Sequence, residues 1–224
     1  MAGAPRLSML FACTGITAVA LTILLVSDHY GGGPLPMWMK MVASTAFIAL
    51  AYFAGGLSTP YGRIILLALF FSWWGDFFLM WGSTFLYGLI AFFIGHVCYA
   101  IAFLYYGQQW SWTAGGALGV LFLVIPIFMW LNPHLVDDPM RIPVYAYMVV
   151  ITLMVVLSVG AVGKGAVPWV AAAALLFYFS DIFVARARFV EPDEINRVIG
   201  LPLYYGGQVL FAWTVYWMNA LSSE

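Results

Sequence analysis

The stretch 171–185, AAAALLFYFSDIFVA, carries one charged residue, Asp181, inside a run of apolar side chains. A second stretch, 70–82, FFSWWGDFFLMWG, surrounds Asp76 in the same way. Both runs suit the interior of a lipid bilayer, where a carboxylate costs at least ~2.5 kcal/mol on insertion scales. Each acid must therefore find partners, and acids in such positions are usually functional. These two residues are the strongest indication of function in the chain.

The composition of the whole chain is that of an integral membrane protein. Of its 224 residues, 65% are hydrophobic and 8% are charged, and the mean hydropathy is +0.99. Soluble domains have far more charged residues and far fewer apolar residues. The formal net charge is -1 and no long basic block occurs, which argues against nucleic acid as a partner. Cys13 and Cys98 fall in apolar segments without zinc-type spacing, so we expect no disulfide framework.

The apolar runs predict an all-α, polytopic membrane protein, a bundle of eight transmembrane helices in a single domain of residues 1–224. Crossing the hydrocarbon core takes about 17 to 25 apolar residues. Breakers such as Gly31-Gly32-Gly33-Pro34 separate the runs, and the runs lack the alternation of a membrane barrel. The first run follows Arg6 like a signal peptide, but it has no convincing cleavage site and is interpreted as a helix. The predicted spans are 7–26, 37–55, 63–81, 85–106, 114–131, 142–160, 166–184 and 201–220.

Eight spans place both ends of the chain on one side, face A, and the loops 27–36, 132–141 and 185–200 on the other, face B. Lysine and arginine are divided too evenly between the faces to orient the bundle. The third and seventh spans run in the same direction, so Asp76 and Asp181 both lie roughly 5 to 8 Å inside face B at about 1.5 Å per residue. We therefore expect a pocket that opens toward face B. Other polar residues of that half are Lys40, Tyr87, Tyr145, Tyr147, Tyr204, Tyr205 and Gln208, with His96 nearer the middle of the membrane.

Each candidate also has a purely structural interpretation. The two acids could be hydrogen-bonding struts between helices or partners of Lys40, and the tyrosines could belong to an interfacial aromatic belt. Lys40 could extend its amine to the headgroups, and His96 could be a satisfied donor between helices. Arg186 and Arg188 follow the seventh span. They are either an anchoring pair or a clamp for phosphate, which guanidinium groups bind well.

Four segments carry motifs in a characteristic order. The segment 71–93, FSWWGDFFLMWGSTFLYGLIAFF, has a Gly-Asp near the end of one helix, and 94–103, IGHVCYAIAF, has a Gly-His-x-x-Tyr in the next. Segment 174–189, ALLFYFSDIFVARARF, contains a Ser-Asp pair with a basic and aromatic end. Segment 201–213, LPLYYGGQVLFAW, contains Tyr-x-x-x-Gln. Together these motifs resemble the YhhN family of lysoplasmalogenases.

The resemblance implies hydrolysis of the vinyl ether bond of lysoplasmalogens, which gives a fatty aldehyde and a glycerophospho-ethanolamine or -choline. Vinyl ethers are cleaved by proton delivery to the outer alkene carbon, and water then attacks the oxocarbenium ion. Two carboxyls can divide the roles of acid and base when their environments differ. Carboxylate pairs manage similar cations in glycoside hydrolysis. The hypothesis is that Asp76 and Asp181 face each other as the catalytic pair, with the assignment of acid and base open.

The other candidates have supporting roles in this hypothesis. Tyr145, Tyr205 and Gln208 would position the water or the glycerol hydroxyl. His96 would orient groups or relay protons, and Arg186 or Arg188 would hold the phosphate. The role of Lys40 is open, because Leu35-Pro36 precedes it where family members have Lys-Pro or Lys-x-Leu-Pro.

The expected partners are a lysophospholipid substrate, water and membrane lipids, and the expected location is a bacterial inner membrane. We expect no metal or other cofactor, because His29, His96 and His134 form no ligand cluster in the sequence. Two other classes of function remain open. One is a proton-coupled transporter of a lipid or small solute, and the other is a noncatalytic lipid-binding scaffold. The two halves of the chain show no clear internal repeat, which favours the enzyme over the transporter.

Overall fold

The computed structural model describes residues 7–31 and 33–221, so Arg6 lies outside the described part. Within that part the secondary structure is helical and contains no strand. Short 3-10 turns form at Gly82–Thr84 and Asn132–His134, and a π-helical turn forms at Arg186–Val190. The eight α-helices are α1 Leu7–His29, α2 Leu35–Phe53, α3 Pro60–Phe78, α4 Phe85–Tyr106, α5 Trp110–Leu131, α6 Arg141–Gly163, α7 Trp169–Ala185 and α8 Ile195–Leu221.

Seven helices of the described chain are long and apolar enough to cross a membrane, which makes the protein a multi-pass integral membrane protein. The helix that falls outside this set is α3, whose hydropathy is lowered by Arg63 and Asp76. The crossing of α3 therefore stays a prediction. The largest boundary difference is at α8, which begins at Ile195 and not at residue 201. Its first turn contains the polar residues Asn196 and Arg197, so hydropathy alone assigned that turn to a loop.

Local signals set several helix ends. Thr59 caps α3, because its hydroxyl accepts a hydrogen bond of 3.2 Å from the Gly62 amide, and Pro60 suits the first helical position. Gly107 ends α4 with a φ of 114° and Gly165 follows the end of α6 with a φ of 112°. These backbone conformations favour glycine, and they allow tight turns at face A.

Small residues and stacked rings bring the helices together. A Cβ atom on Gly207 of α8 would lie 3.1 Å from the carbonyl oxygen of Ala173 in α7, so glycine permits a close approach of the two backbones. Tyr99 of α4 stacks on Phe211 of α8 with ring centroids 4.1 Å apart. Helix α8 thus packs in the interior of the bundle. Helix α5 lies at the periphery, where Phe122 is 83% exposed and suits contact with lipid.

One end of the bundle contains a cavity of about 460 Å³. All eight helices contribute to its wall. The odd-numbered helices contribute residues of their C-terminal halves, such as Leu24, and the even-numbered helices contribute residues of their N-terminal halves, such as Lys40. Helices that follow one another in the chain therefore run in opposite directions, and the cavity lies in the half of the bundle next to face B.

Candidate functional site

Asp76 and Asp181 both line this cavity. Their placement agrees with the expectation that α3 and α7 turn their acids toward a common space, while their catalytic role stays a prediction. The two carboxyls differ in exposure, since the side chain of Asp76 is 2% exposed and that of Asp181 is 18% exposed. Each acid has its own set of hydrogen-bonding partners. Asp76 is held by residues of α2 and α8, and Asp181 by residues of α4 and α6.

Asp76 is surrounded by three donors. The ammonium Nζ of Lys40 lies 3.2 Å from Oδ1 of Asp76. The hydroxyls of Ser44 and Tyr204 donate to Oδ2 at 2.5 and 2.6 Å. An ammonium and two hydroxyls satisfy a buried carboxylate without water. Lys40, whose side chain is 16% exposed, therefore pairs with Asp76 and does not extend to the headgroups.

Tyr205 supports this cluster from behind. Its hydroxyl donates to the carbonyl oxygen of Lys40 at 3.1 Å and lies 3.3 Å from Oγ of Ser44. Tyr205 is buried and is not part of the cavity wall. It therefore orients the partners of Asp76, whereas the sequence hypothesis placed it against water or the glycerol hydroxyl.

Asp181 lies at the end of a chain of hydrogen bonds. The hydroxyl of Tyr147 donates to Oδ2 of Asp181 at 2.5 Å, and Nε2 of His96 lies 2.7 Å from the same hydroxyl. Nε2 is also 3.5 Å from Oδ2 of Asp181. On its other side the fully buried imidazole meets the sulfur of Met154, 3.3 Å from Nδ1. These contacts fit a directional chain: Nε2–H of His96 donates to the Tyr147 oxygen, and the Tyr147 hydroxyl donates to Asp181. Each hydrogen then takes part in one hydrogen bond.

An aromatic ring joins the two clusters. Phe177 packs edge-on against His96 with ring centroids 4.5 Å apart and against Tyr204 at 5.2 Å. Phe92 packs edge-on against both Phe177 and Tyr204 at 5.8 Å. Such pairs fix ring orientation. The tyrosine of one acid and the histidine of the other are therefore held in a fixed relation by the same ring.

Away from the acids, the cavity is mostly apolar. This composition suits the hydrocarbon chain of a lipid, with the few polar groups available for orientation and chemistry. Within the described residues, no group of three or more His, Cys, Asp or Glu side chains is placed to hold a metal ion. Apolar wall residues include Leu79, Leu89, Ile127, Leu131, Val144, Met148 and Ile151.

Tyr145 and Gln208 do not line the cavity, and their supporting roles stay predictions. Tyr145 donates to Asn132 at 2.5 Å and does not line the cavity. Residues two apart in an α-helix point in different directions, so Tyr145 and Tyr147 cannot both face Asp181. Gln208 is fully buried and accepts a hydrogen bond of 2.6 Å from Tyr99. It lies one turn deeper than Tyr204, below the cavity wall.

The two arginines after α7 have different surroundings. Arg186 donates from Nη1 to Asp193 and Asn196 at 2.8 Å and from Nη2 to Glu191 at 2.7 Å, and it does not line the cavity. The hydrogen bond from Arg186 lowers the pKa of the Asp193 carboxyl from its ordinary value. The contact is therefore lost only when the pH falls below the usual titration range of aspartate. Arg186 ties the loop to α8, whereas Arg188 lines the cavity.

Sequence reasoning missed four side chains of the site. Tyr147 and Tyr204 were placed in the correct half of the membrane but given no role. Ser44 follows Lys40 by one helical turn, and that spacing predicts a shared face. Arg197 lines the cavity from the first turn of α8, a turn that hydropathy assigned to a loop. Tyr204 is the first residue of the Tyr-x-x-x-Gln motif, so this motif could have identified it as a site residue.

Comparison with known proteins gives one family. A family model described as the YhhN family matches residues 35–215. The matched range contains both acids and every hydrogen-bonding partner described for them. No curated protein and no solved structure matches the chain.

Proposed function

This chain belongs to the YhhN family, and we propose that it is an intramembrane hydrolase of the vinyl ether bond of lysoplasmalogens. The products are a fatty aldehyde and a glycerophospho-ethanolamine or -choline. The family match and the likeness of the motifs to those of lysoplasmalogenases support the substrate class. One observation carries the proposal. Asp76 and Asp181 line the same largely apolar cavity, each with a tyrosine donor and a basic side chain.

Asp181 is the proton donor in this proposal. Tyr147 donates to Oδ2 at 2.5 Å, whereas the contact of Oδ1 with the Ser180 hydroxyl is long at 3.5 Å, so Oδ1 is the oxygen that carries the acid proton. The proton passes from Oδ1 to the outer alkene carbon. The π electrons form the new C–H bond, and the inner carbon and the ether oxygen share the positive charge of the oxocarbenium ion. The hydrogen bonds from His96 through Tyr147 hold Oδ2 of Asp181 in place, and Asp181, whose side chain is 18% exposed, takes up a proton from water after each turnover.

Asp76 is the ionised partner. The ammonium of Lys40 and the hydroxyls of Ser44 and Tyr204 favour its carboxylate form. A fixed carboxylate stabilises the neighbouring cation in a site with little water. It also accepts the proton of the water that attacks the inner carbon, and it releases that proton to water at the end of the cycle, which balances the proton that Asp181 takes up. The hemiacetal that forms then collapses to the aldehyde and the free glycerol hydroxyl.

The placement of the cavity distinguishes this proposal from transport. The described residues that line the cavity all lie in the halves of the helices next to face B or in the turns beside them, so the cavity itself does not reach face A. A proton-coupled carrier needs access from both sides. A noncatalytic lipid-binding scaffold would have the same apolar wall, so catalysis itself must be measured.

The test uses purified protein and a synthetic lysoplasmalogen. Free aldehyde is measured through its enzymatic reduction, and the matched lipid with a saturated alkyl ether serves as the control substrate, because it cannot form the oxocarbenium ion by protonation. The expected result is aldehyde from the vinyl ether lipid alone. Saturable binding without aldehyde would support the scaffold, and lipid flux in sealed vesicles without aldehyde would support the carrier.

A further inference from the structure

The charged groups at the face-B end of the cavity are unevenly paired. Arg186 is bonded to two carboxylates of the loop that follows it. Arg197 bonds through Nη1 to Oδ1 of Asp28 at 2.6 Å. Arg188 has no carboxylate partner within residues 7–31 and 33–221, although it lines the cavity. The unpaired charge at this end is therefore positive.

The side chain of Arg188 is oriented by an aromatic ring. Its guanidinium carbon lies 5.0 Å from the centroid of Phe85, which also lines the cavity. A ring against one face of a guanidinium leaves the N–H edges free for an anion. The π-helical turn Arg186–Val190 contributes to this geometry, because its wider turn changes the direction of successive side chains. Such turns are frequent at functional sites.

Arg197 provides a second, partly committed cation. It projects from the first turn of α8 into the cavity wall. A guanidinium has five N–H donors, and the contact with Asp28 uses Nη1. The remaining donors are available to a ligand. Asp28, at the end of α1, competes with any such anion for Arg197.

We propose that Arg188 and Arg197 form a subsite for a phosphodiester anion, the phosphate of a lysophospholipid headgroup. The headgroup then lies at face B, while the single hydrocarbon chain runs along the apolar wall past Asp181 and Asp76. The identity of the lipid rests on the proposed function, but the subsite concerns binding and is measured without turnover. Arg186, which the sequence made an equal candidate for the phosphate, bonds to two loop carboxylates and does not line the cavity, so the proposed subsite does not include it.

The experiment compares two uncleavable lipids, a 1-alkyl-lysophosphatidylethanolamine and the corresponding 1-alkylglycerol, which lacks the phosphate. Arg188→Gln should weaken binding of the phospholipid about 10-fold, the effect of losing one charge-assisted hydrogen bond. Binding of the alkylglycerol should change much less. Arg188→Lys should recover part of the affinity, because lysine binds phosphate as a point charge without the planar edge. Arg141→Gln is the matched control, an arginine at the same face that does not line the cavity.

Asp28→Asn tests the second cation. The substitution releases Arg197, so the phospholipid should bind more tightly than to the wild type. Weaker binding would remove Arg197 from the subsite. Equal loss for both lipids in Arg188→Gln, or no loss in a variant with unchanged melting temperature, would overturn the proposal. Displacement of the lipid by inorganic phosphate at equal concentration would assign the subsite to the free anion instead.

The two proposals fail in different ways. An Arg188-dependent preference for the phospholipid in a protein that releases no aldehyde would keep the subsite and overturn the hydrolase. Aldehyde release with no effect of Arg188→Gln on lipid binding would keep the hydrolase and overturn the subsite.

Discussion

Tyr147 donates a hydrogen bond of 2.5 Å to Asp181, and its oxygen lies 2.7 Å from Nε2 of His96. This hydroxyl links a fully buried imidazole to a carboxyl that faces the cavity. Asp76 has a comparable tyrosine donor, but its basic partner is Lys40. The ammonium of Lys40 favours the carboxylate form of Asp76, whereas no lysine or arginine pairs with Asp181 within the described residues. This difference between the clusters supports Asp181 as the acid.

Tyr147→Phe should separate the hydrogen bond that holds Asp181 from the packing of the ring. The ring stays, but the hydroxyl between His96 and Asp181 is lost. We expect aldehyde release to fall by about 10- to 100-fold, at the lower end of the effect of general acid–base groups. Tyr145→Phe is the control, since Tyr145 lies outside the cavity. Equal rates in the two variants would contradict a role of Tyr147 in positioning Asp181.

Lys40→Met should destabilise the protein through its effect on Asp76. The change leaves a buried carboxylate without its cation, a loss of about 3 kcal/mol in the free energy of unfolding. The double variant Lys40→Met with Asp76→Asn removes both charges and should recover much of that loss. Unfolding in denaturant, in the same detergent for all variants, measures the effect. Equal stability of the single and double variants would show that the pair is not coupled.

Gly75→Ala should disturb the wall beside Asp76. A Cβ atom at this position would lie 2.5 Å from Cε2 of Phe92, so the ring must move. Phe92 packs against Tyr204, the donor to Asp76. We expect a destabilisation of about 1 to 3 kcal/mol, as for other overpacked cores, together with reduced aldehyde release. Gly115→Ala in α5 is the matched control, because a Cβ atom there meets nothing within 4 Å. Similar melting temperatures for both variants would contradict this expectation.

The helices and the two acids were accessible to sequence reasoning, because both are properties of local composition. A long apolar run predicts a helix in a membrane, and Asp76 and Asp181 stand out as charges within such runs. Alternation of helix direction then placed both acids in one half of the bundle. The YhhN family, suspected from the motifs, is confirmed by the match over residues 35–215.

The hydrogen-bonding partners of the two acids could not be predicted from local composition. Helix rotation decides whether Tyr145 or Tyr147 faces Asp181, and apolar helices without a polar face give little periodicity from which to read that rotation. Arg186 and Arg188 are likewise equivalent in composition. They differ because Arg186 pairs with two carboxylates of the following loop, whereas Arg188 does not. The π-helical turn that contains both arginines also directs their side chains differently. Such differences come from tertiary contacts.

The most direct measurement is aldehyde release by purified Asp76→Asn and Asp181→Asn proteins. Asparagine keeps the size of the side chain and can still accept the tyrosine hydrogen bond, but it can neither donate the acid proton nor stabilise the cation. Binding of the uncleavable 1-alkyl-lysophosphatidylethanolamine and the melting temperature verify that each variant is folded. The expected result is a loss of at least about 100-fold in each variant with lipid binding retained. A folded variant that releases aldehyde at the wild-type rate would contradict the two-carboxyl mechanism.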